Sequence, residues 1–176
     1  MFGIVIVYGV ISGAVIIATI MAGLTLGKDT PIFHSEFFGY LVQFIALTSI
    51  FFGVKRYRDR ELGGVIKFLP ALMMGISIAL VAAAIYVGVW EFYLASTNYA
   101  FMEEFVAGYI AQKQAAGATV AEIDALKVQM EQMKELYKNP FTRVGITFVE
   151  IFPMGLAISF VSAALLQFPK VLPYRA

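Results

Sequence analysis

Four long apolar stretches dominate the pattern of hydrophobic and polar positions, at about 3–26, 37–54, 70–94 and 141–168. A helix needs roughly 20 apolar residues to cross a hydrocarbon core of about 30 Å, so each stretch predicts a transmembrane helix. The second is the shortest, "FFGYLVQFIALTSIFFGV", but Gln43 is its one strongly polar group and aromatics crowd both ends. It reads as a span rather than a buried core helix. The first stretch has no basic n-region and is longer than a signal-peptide core, so it is expected to stay as the first span.

Between the third and fourth stretches the pattern changes to "STNYAFMEEFVAGYIAQKQAAGATVAEIDALKVQMEQMKELYKNP", rich in Glu, Lys, Gln and Ala. Gly117 followed by Thr119 and Glu122 predicts a helix C-cap and then a capping box, so two helices meet in a tight turn. On the second, Ile123, Leu126, Met130, Met133 and Tyr137 fall at spacings of three and four, and Met102, Phe105 and Tyr109 make one stripe on the first. Asn139-Pro140 supplies an N-cap and a first-turn proline for the last span. The expected fold is an all-α integral membrane protein in one membrane domain. It has four transmembrane helices plus an extramembrane antiparallel helical hairpin, about 97–139, between helices 3 and 4.

Composition supports the membrane reading and narrows the chemistry. The 176 residues are 60% hydrophobic and 14% charged, with a net charge of +1, so no global field argues for nucleic acid. With no cysteine, disulfides and thiol chemistry are excluded. The single His34 argues against a histidine-built metal or haem centre. No phosphate-binding loop, G-x-S-x-G or H-E-x-x-H pattern is present, and we expect no enzyme, cofactor or metal.

Lysine and arginine counts set the expected orientation. "KRYRDRELGGVIK" carries five basic residues, the tail "PKVLPYRA" two, and the first loop "KDTPIFHSE" one. The termini and the 55–67 loop are therefore expected in the cytoplasm and the hairpin on the outer side of the membrane. Lys55, Arg56, Arg58 and Arg60 read as an orientation signal that also touches anionic headgroups. Trp90, Tyr93, Tyr99, Tyr57 and Tyr174 read as interface anchors.

Lipid is as apolar as leucine, so spans associate through small residues. Gly9 and Gly13 with Ala14, Ala18 and Ala22 mark one ridge; Ala71, Gly75, Ala79 and Ala83 a second; Gly155, Ser159 and Ala163 a third. Packing within one chain is the simpler use of these ridges, and a homodimer face the other.

The polar residues of the spans concentrate in the outer leaflet. At 1.5 Å of rise per residue, Gln43 lies about 10 Å inside Glu36 and Glu150 about 10 Å inside Arg143, with Glu91 near the outer end of the third span. Arg143, Thr147 and Glu150 share a helix face. Pro153 cannot donate to the carbonyl of Val149, which opens the backbone beside Glu150 and kinks the helix. An intramembrane carboxylate needs a partner, a proton or water. Glu150 is thus either a structural group paired with Arg143 or Gln43, or part of a polar site.

"IFFGVKRYRDRELGGVIKF", "YVGVWEFY", "EQMKELYKNPF" and "TFVEIFPMGLAISFVSAALL" resemble the small bacterial membrane proteins grouped as domain of unknown function 4199. The resemblance covers nearly the whole chain. It implies a four-span inner-membrane protein with a helical insertion before the last span, and a recurring carboxylate-then-proline motif that maps onto Glu150 and Pro153. It brings no activity, cofactor or ligand residue. The leading expectation is a binding or accessory subunit with a polar outer-leaflet pocket, in contact with the lipid bilayer and docking a second copy or a membrane-protein partner through the hairpin. The alternative is an oligomeric proton-, cation- or amphiphile-coupled transporter or sensor using Glu150.

Overall fold

The computed structural model describes residues 1–26, 36–170 and 172–173. Among the described residues there are seven helices: α1 Phe2–Leu26, α2 Glu36–Leu47, α3 Ser49–Glu61, α4 Phe68–Ser96, α5 Phe101–Ala115, α6 Val120–Lys138 and α7 Pro140–Leu166. There is no strand among the described residues. Four segments are long and apolar enough to cross a membrane: Phe2–Leu24, Phe37–Glu61, Phe68–Ser96 and Pro140–Leu166. The first loop with His34 and the tail residues Tyr174 and Arg175 lie outside the described residues, and Glu36 is described only as the backbone that opens α2.

The second apolar segment departs from expectation in two ways. It breaks at Thr48, where the hydroxyl donates to Ile45 O at 2.5 Å and the amide is shared between Phe44 O and Ile45 O. Back-bonding of this kind bends a helix without proline or glycine. The helix then resumes as α3 and runs seven residues beyond the expected end at 54, so "KRYRDRE" is helical and not a loop. Its residues allow this: Lys, Arg and Glu are good helix formers, and Lys55 pairs with Asp59 one turn on, at 2.5 Å.

The chain divides into two compact units, residues 1–88 with 148–176, and residues 89–147. In the first unit α1 packs against α2 and α3. Ile16, Leu47, Ile50, Val54 and Ile78 form its core with the small Ala82, Ala83 and Ala163. The small-residue ridges are used within the chain. A Cβ added at Gly13 would lie 2.9 Å from that of Ile85, and one at Gly75 would lie 2.8 Å from that of Ser159. The same construction at Gly155 meets Ala79 at 2.8 Å, so backbones approach where only hydrogen fits. Ala14 and Ala18 are left exposed. At the break, Ser12 on α1 donates to Ala46 O at 3.1 Å, Ser49 donates to Tyr8 O at 3.3 Å, and the two hydroxyls touch each other.

In the second unit α5 and α6 pack on one another. The turn between them follows its local chemistry: Gly117 has φ +86°, and Thr119 and Glu122 complete a reciprocal capping box. The Thr119 amide and hydroxyl hold the Glu122 carboxyl below the usual glutamate range. Ile123 is buried and Leu126, Met130, Met133 and Tyr137 are half-buried, whereas Phe105 remains 48% exposed. Phe101, Phe105 and Tyr109 stack along α5 at centroid spacings of 5.9 and 6.0 Å, and Lys113 caps the row over the Tyr109 ring.

Candidate binding pocket

Arg143 sits in the first turn of α7, where the helix dipole disfavours a cation. Two anionic oxygens offset this. Its Nε donates to Glu91 Oε1 at 2.7 Å and an Nη to Glu91 Oε2 at 2.6 Å, while the other Nη reaches Tyr137 O at 3.1 Å. The two-pronged geometry suits the planar guanidinium. Asn139 caps the same helix end, its Oδ1 accepting from the Phe141 amide at 2.9 Å. Thr147 closes the local set by donating to Arg143 O.

Aromatic rings complete the surroundings. The Arg143 guanidinium lies 4.7 Å over the Tyr99 ring, a cation–π contact. Tyr99 reaches this place from a turn in which both Asn98, φ 51°, and Tyr99, φ 58°, are left-handed. Asn tolerates that region, but a bulky aromatic rarely adopts it, and such strain persists where the surroundings impose it. The Tyr99 amide helps by donating to Leu94 O at 2.8 Å. Trp90, 7% exposed, donates from its indole to the Tyr137 hydroxyl at 2.7 Å and meets Phe101 edge-on.

These groups border a cavity of about 400 Å³ lined by Leu94, Tyr99, Met102, Glu103, Lys134, Tyr137, Lys138, Pro140 and Arg143. Lys134 pairs with Glu131 at 3.3 Å and Lys138 with Glu135 at 2.5 Å. The Glu135 carboxylate holds the Lys138 amine above the usual lysine range, so it stays cationic at neutral pH. Apolar walls with a few charged groups suit an amphiphilic ligand.

Of the five residues expected to form one polar cluster, the structure brings Arg143 and Glu91 together. Arg143 does not take the Glu150 pairing that the sequence offered; its fork is filled by Glu91. Gln43 is 3% exposed, and its Oε1 has no hydrogen-bond partner among the described residues. Glu150 is exposed on α7 with Tyr86 hydrogen-bonded to its carboxylate. Pro153 is also exposed, and α7 continues helical through it.

The basic run needs a correction. Arg58 is fully buried and unavailable to headgroups: it donates to Asp59 at 2.7 Å and to Leu172 O at 2.6 Å, while Lys55 takes the other oxygen of Asp59. Arg56 and Arg60 are exposed. Tyr99 and Trp90, read from sequence as interface anchors, belong to the surroundings of Arg143. The signal for Tyr99 was the Asn98-Tyr99 pair directly after a helix; for Tyr137 it was the end of the α6 stripe. Among the described residues no group of three His, Cys, Asp or Glu could hold a metal ion.

Among the described residues the fold is all-helical, with four segments long and apolar enough to cross a membrane and a charged pocket in the unit formed by residues 89–147. The chain belongs to the family described as Protein of unknown function (DUF4199), which matches residues 7–167. No curated protein and no solved structure matches it.

Proposed function

We propose that the protein is a multi-pass membrane protein of the bacterial inner membrane that works by binding, without catalysing a reaction. The four apolar helical segments are its spans, both termini are cytoplasmic, and α5 and α6 form an antiparallel hairpin in the periplasm. Exposed Arg56 and Arg60 at the end of the second span support this orientation. The observation that carries the binding reading is the cavity of about 400 Å³ beside a fixed Arg143. In this reading the cavity opens at the outer boundary of the bilayer, and the protein serves as an accessory subunit whose hairpin docks a membrane partner or a second copy. Exposed Val120, Val128 and Leu136 on α6 support that docking.

A photocrosslinking side chain at Met102, in the pocket, is compared in native membranes with one at Gly108, in open space on α5. The expected result is an adduct with a lipid or a protein at Met102 alone; adducts no stronger than at Gly108 refute the reading. Orientation is checked with Gln114→Cys and a membrane-impermeant reagent. Labelling only from the cytoplasmic side reverses it.

Glu150 favours a second reading, a proton- or cation-responsive oligomer, because an exposed carboxylate in a span calls for water, a proton or a neighbouring copy. Its test is pH-gradient-driven flux in liposomes. Equal flux from wild type and Glu150→Gln removes it.

A further inference from the structure

We propose that the pocket between residues 94 and 143 binds the phosphate and the proximal acyl chains of a membrane glycerophospholipid, with Lys134 and Lys138 as the phosphate ligands. This rests on the binding reading above and names the ligand.

The lining sorts into two chemistries. Leu94, Met102 and Pro140 present apolar surface, while Lys134 and Lys138, four residues apart on α6, place two ammonium groups on one side of the helix. Both lysines pair with exposed carboxylates three residues away, and Lys138 also feels the charges of Glu131 and Glu103. Exposed pairs of this kind are weak, so a phosphate can displace the carboxylates. Arg143 plays another part. Its Nε and both Nη atoms are engaged with Glu91 and Tyr137 O, so it builds the wall and leaves recognition to the lysines. Glu103, the one carboxylate in the lining, opposes polyanions and favours a singly charged phosphodiester.

Position along the chain argues for a lipid. Leu94 lies two residues before the end of the apolar helix α4 and Pro140 opens the apolar helix α7. The pocket therefore stands where apolar helices meet polar chain, the level at which a bilayer carries its phosphates.

The single tryptophan, Trp90, is bonded to Tyr137 in the pocket wall and makes the protein its own reporter. Full-length protein in maltoside micelles is titrated with dioctanoyl phosphatidylglycerol while Trp90 fluorescence is followed. We expect saturable binding that weakens roughly tenfold or more in Lys134→Gln/Lys138→Gln, from the loss of two charge-assisted contacts, and tightens in Glu103→Gln. Unchanged affinity in the double lysine variant overturns the proposal. Inorganic phosphate binding as tightly as the lipid makes the source a free anion and overturns it too. Equal binding of dioctanoylglycerol, which lacks the phosphate, refutes the phosphate assignment while the binding reading stands. If neither amphiphile binds, the proposal is overturned, while the adducts at Met102 decide the binding reading separately.

Discussion

Breaking the Arg143–Glu91 pair tests the core of the residue 89–147 unit. The Arg143 side chain is 5% exposed and that of Glu91 25%, so Glu91→Ala leaves a buried guanidinium with only Tyr137 O and two aromatic faces. Removing one partner of a buried pair costs about 3–5 kcal/mol, and the partial exposure of Glu91 argues for the lower end, about 3 kcal/mol. Arg143→Met costs less, about 2 kcal/mol, because the remaining carboxylate can turn toward water and no cation is left at the start of α7. If the two losses were independent the double variant would lose about 5 kcal/mol; a direct pair returns about 2 kcal/mol of that as coupling. The assay is SDS-induced unfolding in mixed micelles, read by Trp90 fluorescence, for the wild type, both single variants and the double variant. The exposed Lys138–Glu135 pair serves as the control and should show no measurable coupling. Coupling below about 0.5 kcal/mol for Arg143 and Glu91, or a Glu91→Ala variant as stable as wild type, refutes the reasoning.

Three other outcomes follow from the same kind of accounting. Gln43→Met should raise stability by about 1 kcal/mol in the same unfolding assay, because it removes a buried oxygen that has no donor; a loss would mean that Gln43 has a partner. Gly75→Ala should destabilise by about 1–3 kcal/mol through its clash with Ser159, whereas Gly108→Ala, with nothing within 4 Å, should stabilise by about 0.5–1 kcal/mol. The depressed Glu122 carboxyl contributes stability that is present above its unfolded value and lost as pH falls through the lower folded value. Amide protection factors in the first turn of α6 should therefore fall on acidification, and Glu122→Gln, which removes the titrating group, should abolish that dependence.

The capping box at Thr119 and the start of α7 at Asn139-Pro140 were readable because their chemistry is confined to a few neighbouring residues. The apolar helices were readable from length and hydropathy together, because a segment fit to cross a membrane must be both long and apolar. The end of the second segment was not, because the charged run from Lys55 to Glu61 looks like a loop when charge is taken as the sign of water. The Lys55–Asp59 spacing was the overlooked evidence for helix. The break at Thr48 carries only a Thr-Ser pair, too common a signal to place a bend. For the pocket, Arg143 and Glu91 were each singled out, but they stand 52 residues apart, and depth along a helix cannot choose between Glu91 and Glu150 as partner. The contact of Tyr99 with Arg143 was not readable, because its left-handed backbone exists only once the turn is folded.

The hydroxyl pair at the break in the second segment has a further consequence. Ser12 and Ser49 bring two hydrogens to three contacts: one with Ala46 O, one with Tyr8 O and one with each other. Each hydroxyl carries a single hydrogen, so one of the three contacts always goes without. Rotation of the two hydroxyls passes the vacancy from place to place with no heavy atom moving. The seam joining α1 to the bent segment is thus degenerate in its hydrogens while fixed in its packing, a source of residual entropy inside an otherwise closely packed core.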